Sequence, residues 1–293
     1  MTRRFISALA GPLAGLLAAC LAAAASAQPP IWVVHGPQAT VVLFGSVHIL
    51  PPGLDWEPAK LKQALAGASD LWFELPLDDA SSLTATRLAA EQGLQRPGES
   101  LSAQLSPASR EHLAKVAQSC GVSVAGLDRL RPWLAEITLS LAVYRQAGAV
   151  QEDGVERQIA SLVPLTVPRR AFETAEQQIG FLSNAPLSDQ IASLEETLGE
   201  LDEGPASYER VVTVWMAGDA PGIVHEALDP MIKSAPGVYR SLVIDRNRRW
   251  VEAIRKRLQG KGEAVMVVGV GHLVGPDSVP ALLRAEGVSV DGP

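Results

Sequence analysis

Cysteine is nearly absent: Cys20 and Cys120 are the only two in 293 residues. That excludes a small scaffold built from disulfides, which needs several cross-links. Charged residues make up only 19% of the chain against 47% hydrophobic, which excludes a disordered protein. There is no excess of positive charge, with Lys+Arg 25 against Asp+Glu 32 and a net charge of −7. A basic nucleic-acid surface is therefore not expected. No P-loop, dinucleotide fingerprint, CxxC pair or G-x-S-x-G elbow is present. Histidine is scarce, at five residues, so each one is informative. What is abundant is Ala, Leu and Val, enough for one large domain or at most two.

The long uncharged apolar run lies at the start. Arg3 and Arg4 form a short basic region, Phe5 to Ala24 an apolar stretch, and Ala25-Ser26-Ala27 an A-x-A cleavage site. The expectation is a signal peptide over 1–27, cleaved after Ala27, ahead of a single domain over 28–293. Loss of Arg3 and Arg4 leaves 23 basic against 32 acidic residues, a net charge of −9. A rival reading takes Leu17-Ala18-Ala19-Cys20 as a lipobox with an acylated Cys20, and a third keeps the segment as an anchor. The expected location is periplasmic or secreted, with membrane attachment only if Cys20 is lipidated. Cys120 then has no partner within the exported chain, and the fold must rest on its core.

The body reads as strands at both ends around a helical middle. Ile31–Val34 and Thr40–Phe44 flank a turn at His35-Gly36-Pro37 and predict a hairpin. A helix is expected from about Glu57 to Gly67 and a buried strand over Asp70–Leu75. Ser106-Pro107 starts a helix to about Cys120, with Ser as N-cap, and Pro132 starts another. One strand candidate, Leu162–Val167, interrupts the helices. Further helices are expected over Thr174–Leu182, Leu187–Leu201, Pro205–Ala217 and Pro236–Leu258. The end returns to a strand over Glu263–Val268, a helix over Asp277–Glu286 and a strand over Val288–Val290. The expected class is mixed α/β, with a central sheet drawn from both ends of the chain.

Two strand ends carry one pattern. Val42-Leu43-Phe44-Gly45-Ser46-Val47-His48 and Val267-Val268-Gly269-Val270-Gly271-His272 each place His three residues after a Gly. A glycine lets the chain turn sharply as it leaves the sheet, and ligand sites form at the carboxyl ends of such strands. If the strands are neighbours, the imidazoles converge. The plainer reading of one G-x-x-H is a histidine that satisfies a backbone group, and two copies argue against it. His35, His112 and His225 have no such context, and His112 and His225 read as solvated.

Glu74 ends the run Leu71-Trp72-Phe73, where an ionised carboxylate is costly unless paired or metal-bound; the plain alternative is a strand-end glutamate facing water. Leu242, Trp250, Ile254 and Leu258 line one helix face, and Arg246 falls in that stripe, with Asn247 beside it between Val243 and Val251. A structural salt bridge to a core carboxylate explains Arg246; carboxylate or anion binding is the alternative. Glu173 precedes Thr174, whose spacing to Gln177 makes a capping box, so it reads either as a cap neighbour or as a site residue.

With these residues in place, the chain resembles the TraB/GumN family, which is similar to Tiki-type metalloproteases. The resemblance covers about Pro30 to Val290. It rests on the LFGSVHIL and DLWFEL runs, Leu130-Arg131-Pro132-Trp133, the FETAEQQ run, Asp245-Arg246-Asn247 with Trp250, and GVGHLVGPDSVPALLRAEGVSV. In the last, Gly269, His272, Leu273 and Gly275 make a G-x-x-H-L-x-G core. The resemblance implies an α/β fold shared with erythromycin-esterase-like and haem-uptake-type proteins. It carries function to His48, His272 and Glu74, and less specifically to Glu173 and Arg246. The family usually shows G-[IV]-D near the start of the central helix; Gly154-Val155-Glu156 departs from that, and no role is assigned to Glu156.

Two histidines and a carboxylate suffice for a catalytic metal centre with an open position. The leading expectation is an exported metal-dependent hydrolase acting on a peptide or amide bond, with a small-molecule or peptide substrate. His48, His272, Glu74 and Glu173 are the expected ligands of Zn, Mn or Co. His48, His272, Glu74 and Arg246 are the expected catalytic set, with Glu74 as ligand or general base and Arg246 on a substrate carboxylate or oxyanion. The alternatives are a metal-free esterase-like hydrolase, in which one histidine activates water and the glutamate orients it, and a non-enzymatic envelope protein that binds a small ligand.

Overall fold

Runs rich in β-branched residues build the first two strands, β1 (Ile31–His35) and β2 (Ala39–Ser46), in the computed structural model, which describes residues 28–293. The leader, with both its A-x-A site and its Cys20 lipobox, lies outside the described residues. The two strands pair antiparallel with Ile31 opposite Phe44, as the Gly36-Pro37 turn predicts. The remaining strands are β3 (Asp70–Phe73), β4 (Arg169–Ala171), β5 (Gly262–Gly269) and β6 (Ser289–Asp291).

They form one sheet in the order β4-β3-β5-β2-β1-β6. The inner pairs β4–β3, β3–β5 and β5–β2 are parallel, so four strands point their carboxyl ends the same way. β1 pairs antiparallel with both β2 and β6. The fold is mixed α/β with a helical middle, as expected. β5 and β2 are near-continuous apolar runs because both faces of these central strands are covered.

The sequence signals place most helices well. They include α1 (Ala59–Gly67), α2 (Asp79–Gln92), α3 (Pro107–Ser119) and α4 (Pro132–Gln146). After these come α5 (Val155–Leu162), α6 (Ala175–Ser183), α7 (Leu187–Leu201) and α8 (Pro205–Met216). The last two used below are α9 (Asp245–Leu258) and α10 (Val279–Ala285). Ser106 caps α3 through Ser109, and the Thr174–Gln177 capping box opens α6.

Two expectations need correction. Leu162–Val167 is not a strand: α5 runs to Leu162, and Leu165 is 86% exposed. The strand starts two residues beyond the expected end, where Arg169–Ala171 adds to β3 as an edge and leaves both arginines in solvent. The stretch Pro236–Leu258 is not one uniform α-helix. A turn at Pro236–Tyr239 passes into a π turn at Arg240–Ile244 before α9 begins. A second π turn lies at Val224–Leu228.

The main core packs α9 and α1 on the sheet through buried Trp250, Ile254, Leu258 and Leu61. α3, α4 and α7 share a second core of leucines, including Leu113, Leu139, Leu194 and Leu198. Among the described residues no helix is long and apolar enough to cross a membrane, and the free cysteine is Cys120.

Candidate active site

The parallel core gathers the predicted residues at one edge. Glu173 follows β4, Glu74 follows β3, His272 follows β5 and His48 follows β2. Arg246 reaches them from the first turn of α9, where it is 5% exposed. The two G-x-x-H runs are neighbours but sit one residue out of step: Gly45 pairs with Val268, and Ser46 with Gly269.

The glycines act by leaving space rather than by turning the chain. Neither has a positive φ, and Gly45 lies within β2. A Cβ on Gly45 would sit 2.7 Å from Val270. One on Gly269 would sit 3.1 Å from Glu74 Oε1 and 3.3 Å from His48 Nε2. Gly269 is thus the floor on which the glutamate and the histidine converge.

The two histidines have opposite fates. His272 is 7% exposed, its ring centroid lies 4.3 Å from that of Trp250 with the two planes tilted by 45°, and its Nδ1–H donates to Asn247 Oδ1 at 2.7 Å. Its Nε2 accepts from Arg246 Nη1 at 3.1 Å. Burial first, and then the nearby guanidinium, hold its pKa down to about 3 against the pull of Glu74. His272 is therefore neutral, with both ring nitrogens used. The His48 side chain is 62% exposed. Its Nδ1 bonds Glu156 Oε1 at 2.7 Å, and Nε2 has no hydrogen bond among the described residues. Attraction to Glu156 outweighs desolvation and raises its pKa to about 9.

Glu156 is the residue the sequence reading passed over. It is 8% exposed at the first turn of α5, where the helix dipole favours a carboxylate. Ser46 Oγ donates to the same oxygen that holds His48, at 2.5 Å. Burial opposes ionisation, but His48 and these hydrogen bonds hold the carboxyl below its usual value. Gly154 makes the docking possible, since a Cβ there would lie 1.9 Å from the His48 carbonyl oxygen. The signal lay in the triplet Gly154-Val155-Glu156: a carboxylate kept where the family pattern also has one.

Arg246 is the hub. Its Nε and Nη2 bond Glu173 at 2.9 Å, and Nη2 also bonds Glu74 Oε2 at 2.5 Å. Nη1 reaches the Leu242 carbonyl at 3.2 Å as well as His272. All five N–H donors of the guanidinium have acceptors, so none is left over for a substrate in this arrangement. Burial would raise Glu74, but Arg246 and the Gly269 N–H at 2.6 Å hold it well below the usual carboxylate range. Burial pushes Glu173 up despite Arg246, and Trp250 Nε1 donates to it at 2.9 Å. Of the other histidines, His225 has a 73% exposed side chain and His112 lies 3.2 Å from Asp202.

As arranged, the donor set does not fit a divalent ion. His272 Nε2 faces a guanidinium, Glu173 is fully engaged by Arg246 and Trp250, and Glu74 already accepts from Arg246 and Gly269. That leaves His48 Nε2 beside one partly used carboxylate oxygen, whereas a catalytic site supplies about three protein ligands. Among the described residues no three His, Cys, Asp or Glu side chains are gathered as a metal-holding group.

Fold and site together define an α/β protein with a His–Glu–Arg cluster at the carboxyl edge of a largely parallel sheet. The chain belongs to the TraB/PrgY/gumN family, whose model matches residues 30–292. It is similar to an uncharacterized protein of Treponema pallidum (strain Nichols), 23% identical over 267 residues, covering 86% of this chain and 79% of that one. It is also similar to YbaP of Escherichia coli (strain K12), 24% identical over 243 residues, covering 83% of this chain and 87% of that one. YbaP of Shigella flexneri gives the same figures. No solved structure matches the chain.

Proposed function

We propose that the protein is an exported hydrolase of peptide or amide bonds in which His48 activates water without a resident metal. The observation that carries this reading is the His48–Glu156 pair. One ring nitrogen is fixed by a buried carboxylate at 2.7 Å while the other faces outward, unbonded, beside Glu74. A base oriented by a third group is the usual arrangement for proton transfer to and from a reacting centre.

In the reaction, water lies between His48 Nε2 and Glu74 Oε1 over Gly269. His48 takes one proton as the water oxygen attacks the carbonyl carbon. Glu74, held by Arg246 and Gly269, accepts the water's other hydrogen and orients it. The imidazolium then gives its proton to the leaving amine, and Glu156 stabilises that charged ring. Arg246 acts as a positioning residue through Glu74.

The test uses purified protein of residues 28–293 on blocked peptide p-nitroanilides and p-nitrophenyl esters, with and without a chelator, alongside analysis for bound metal. The expected result is hydrolysis that survives chelation and falls about 10²–10⁴-fold in His48→Ala. A rate that collapses on chelation and returns with Zn, Mn or Co would restore the metal-ligand reading. Absence of hydrolysis across the panel, with binding retained, would favour the non-enzymatic one.

A further inference from the structure

Away from the His48 cluster, the helical middle encloses a cleft of about 550 Å³. That volume suits a small organic ligand or a short stretch of peptide. One wall is α4, with Trp133, Glu136 and Ile137; another is α7, with Gln190, Ser193, Glu196, Thr197 and Glu200. Phe181, Leu182, Val238 and Leu242 supply apolar surface. Both π turns contribute lining residues, His225 and Glu226 from one and Leu242 from the other.

Two buried polar atoms in these walls have no hydrogen-bond partner among the described residues. Trp133 is 3% exposed with Nε1 unbonded, and Gln190 is 1% exposed with Oε1 unbonded. Gln190 Nε2 is already spent on the carbonyls of Ser183 and Ala185, which leaves its oxygen as a pure acceptor. Ser193 and Thr197 both donate to Glu136 Oε1, at 2.9 and 3.1 Å, and no hydrogen bond reaches Oε2 among the described residues. Buried polar groups without partners are costly in a finished core, so their presence along a cleft points to a ligand that satisfies them.

The charges decide which ligand. Arg210 is paired with Glu203 and Glu226, and Lys233 with Asp229. Glu136, Glu196 and Glu200 have no salt-bridge partner among the described residues. Burial pushes Glu136 up to about 7, and burial with neighbouring Glu196 does the same for Glu200. Carboxyls in that condition gain most from an added cation.

The cleft also touches the candidate active site at two points. Phe181 lies 5.6 Å under the Arg246 guanidinium, and Leu242 gives that guanidinium its carbonyl. Tyr144 packs with its ring centroid 4.7 Å from that of Tyr208, whose hydroxyl donates to the carbonyl of Ile49, next to His48.

We propose that this cleft binds an organic cation with an apolar body, such as a peptide side chain carrying an ammonium or guanidinium group, through Glu136, Glu196 and Glu200. Its use as the substrate-binding cleft rests on the hydrolase reading above; its use as a binding site does not.

The test is titration calorimetry on the residue 28–293 protein with three blocked dipeptides, N-acetyl-leucyl-X-amide, where X is lysine, norleucine or glutamate. The lysine peptide is expected to bind about tenfold or more tighter than the norleucine peptide, with the glutamate peptide weakest. Glu136→Gln and Glu200→Gln, each near-isosteric and checked by circular dichroism, are expected to remove that preference while leaving norleucine binding in place. Equal binding of the three, tightest binding by the glutamate peptide, no binding of any at 1 mM, or a lysine preference that survives the double Gln variant would each overturn the proposal. The wild-type comparison decides by itself if a variant does not fold. His48→Ala separates the two readings, since it is expected to lose hydrolysis and keep the lysine preference.

Discussion

His48 and Glu156 are coupled through one 2.7 Å contact, and their titrations set two expectations. If His48 is the base, its neutral form is the active one, so hydrolysis rises with pH. His48 is raised from 6.5 to about 9, but its exposed side chain lets solvent screen the attraction. The limb therefore falls between those values. Glu156→Gln removes the largest cause of that shift and moves the limb toward 6.5, which a pH–rate profile of the variant reads directly. Stability follows the same linkage. The raised His48 contributes fully below its unfolded value of 6.5 and loses that contribution as pH climbs through about 9. Glu156 is lowered from 4.5, so its share is present above that value and fades as pH drops below it. The melting-temperature gap between wild type and His48→Ala is accordingly widest between those limits and small at pH 10; a gap that does not change with pH would contradict the pairing. Gly154→Ala tests the docking of the pair. Its Cβ would meet a backbone oxygen at 1.9 Å, so a loss of about 1–3 kcal/mol in urea unfolding is expected.

At the scale of elements, α9 and the π turn before it carry the hub. The four-residue stripe of Leu242, Trp250, Ile254 and Leu258 was readable, and it placed Arg246 on the buried face. Its bond partners were not readable, because they come from the ends of β3, β4 and β5, which are far away in the chain. Arg246→Leu removes the cation between Glu74 and Glu173 and leaves two buried carboxylates uncompensated. A loss of about 3–5 kcal/mol is expected, measured by urea unfolding. Adding Glu173→Gln to that variant is expected to recover part of the loss, and a double-mutant cycle without coupling would refute the direct pairing. The misplaced strand has a local cause. Leu162–Val167 is apolar enough to suggest a strand, but α5 consumes its first residue, and Arg169–Ala171 succeeds despite its charges because an edge strand needs pairing on one side only.

Across the whole molecule, the donor geometry sets an expectation for metal. Dialysis of the residue 28–293 protein against a chelator is expected to leave the melting temperature and the hydrolysis rate unchanged. A fall in both, reversed by one ion, would mean that Arg246 yields its place to a metal. Part of the net charge of −7 also takes on a location, since Glu136, Glu196 and Glu200 line one cleft with no salt-bridge partner among the described residues.

By itself the sequence determined the α/β class, the hairpin and the helix caps, and it offered as site candidates His48, Glu74, Glu173, Arg246 and His272, which the fold gathers at one sheet edge. Those features are local: turn glycines, capping spacings, apolar periods and paired G-x-x-H runs are written within a few residues of each other. Tertiary structure alone decided how that set divides its work. The sheet order places β5 between β3 and β2, so the His272 strand end meets Arg246 and is buried neutral, while the His48 strand end meets Glu156 and stays open to solvent. Two histidines in the same sequence pattern thus become different groups, because their protonation is set by neighbours that only the packed sheet and helices supply.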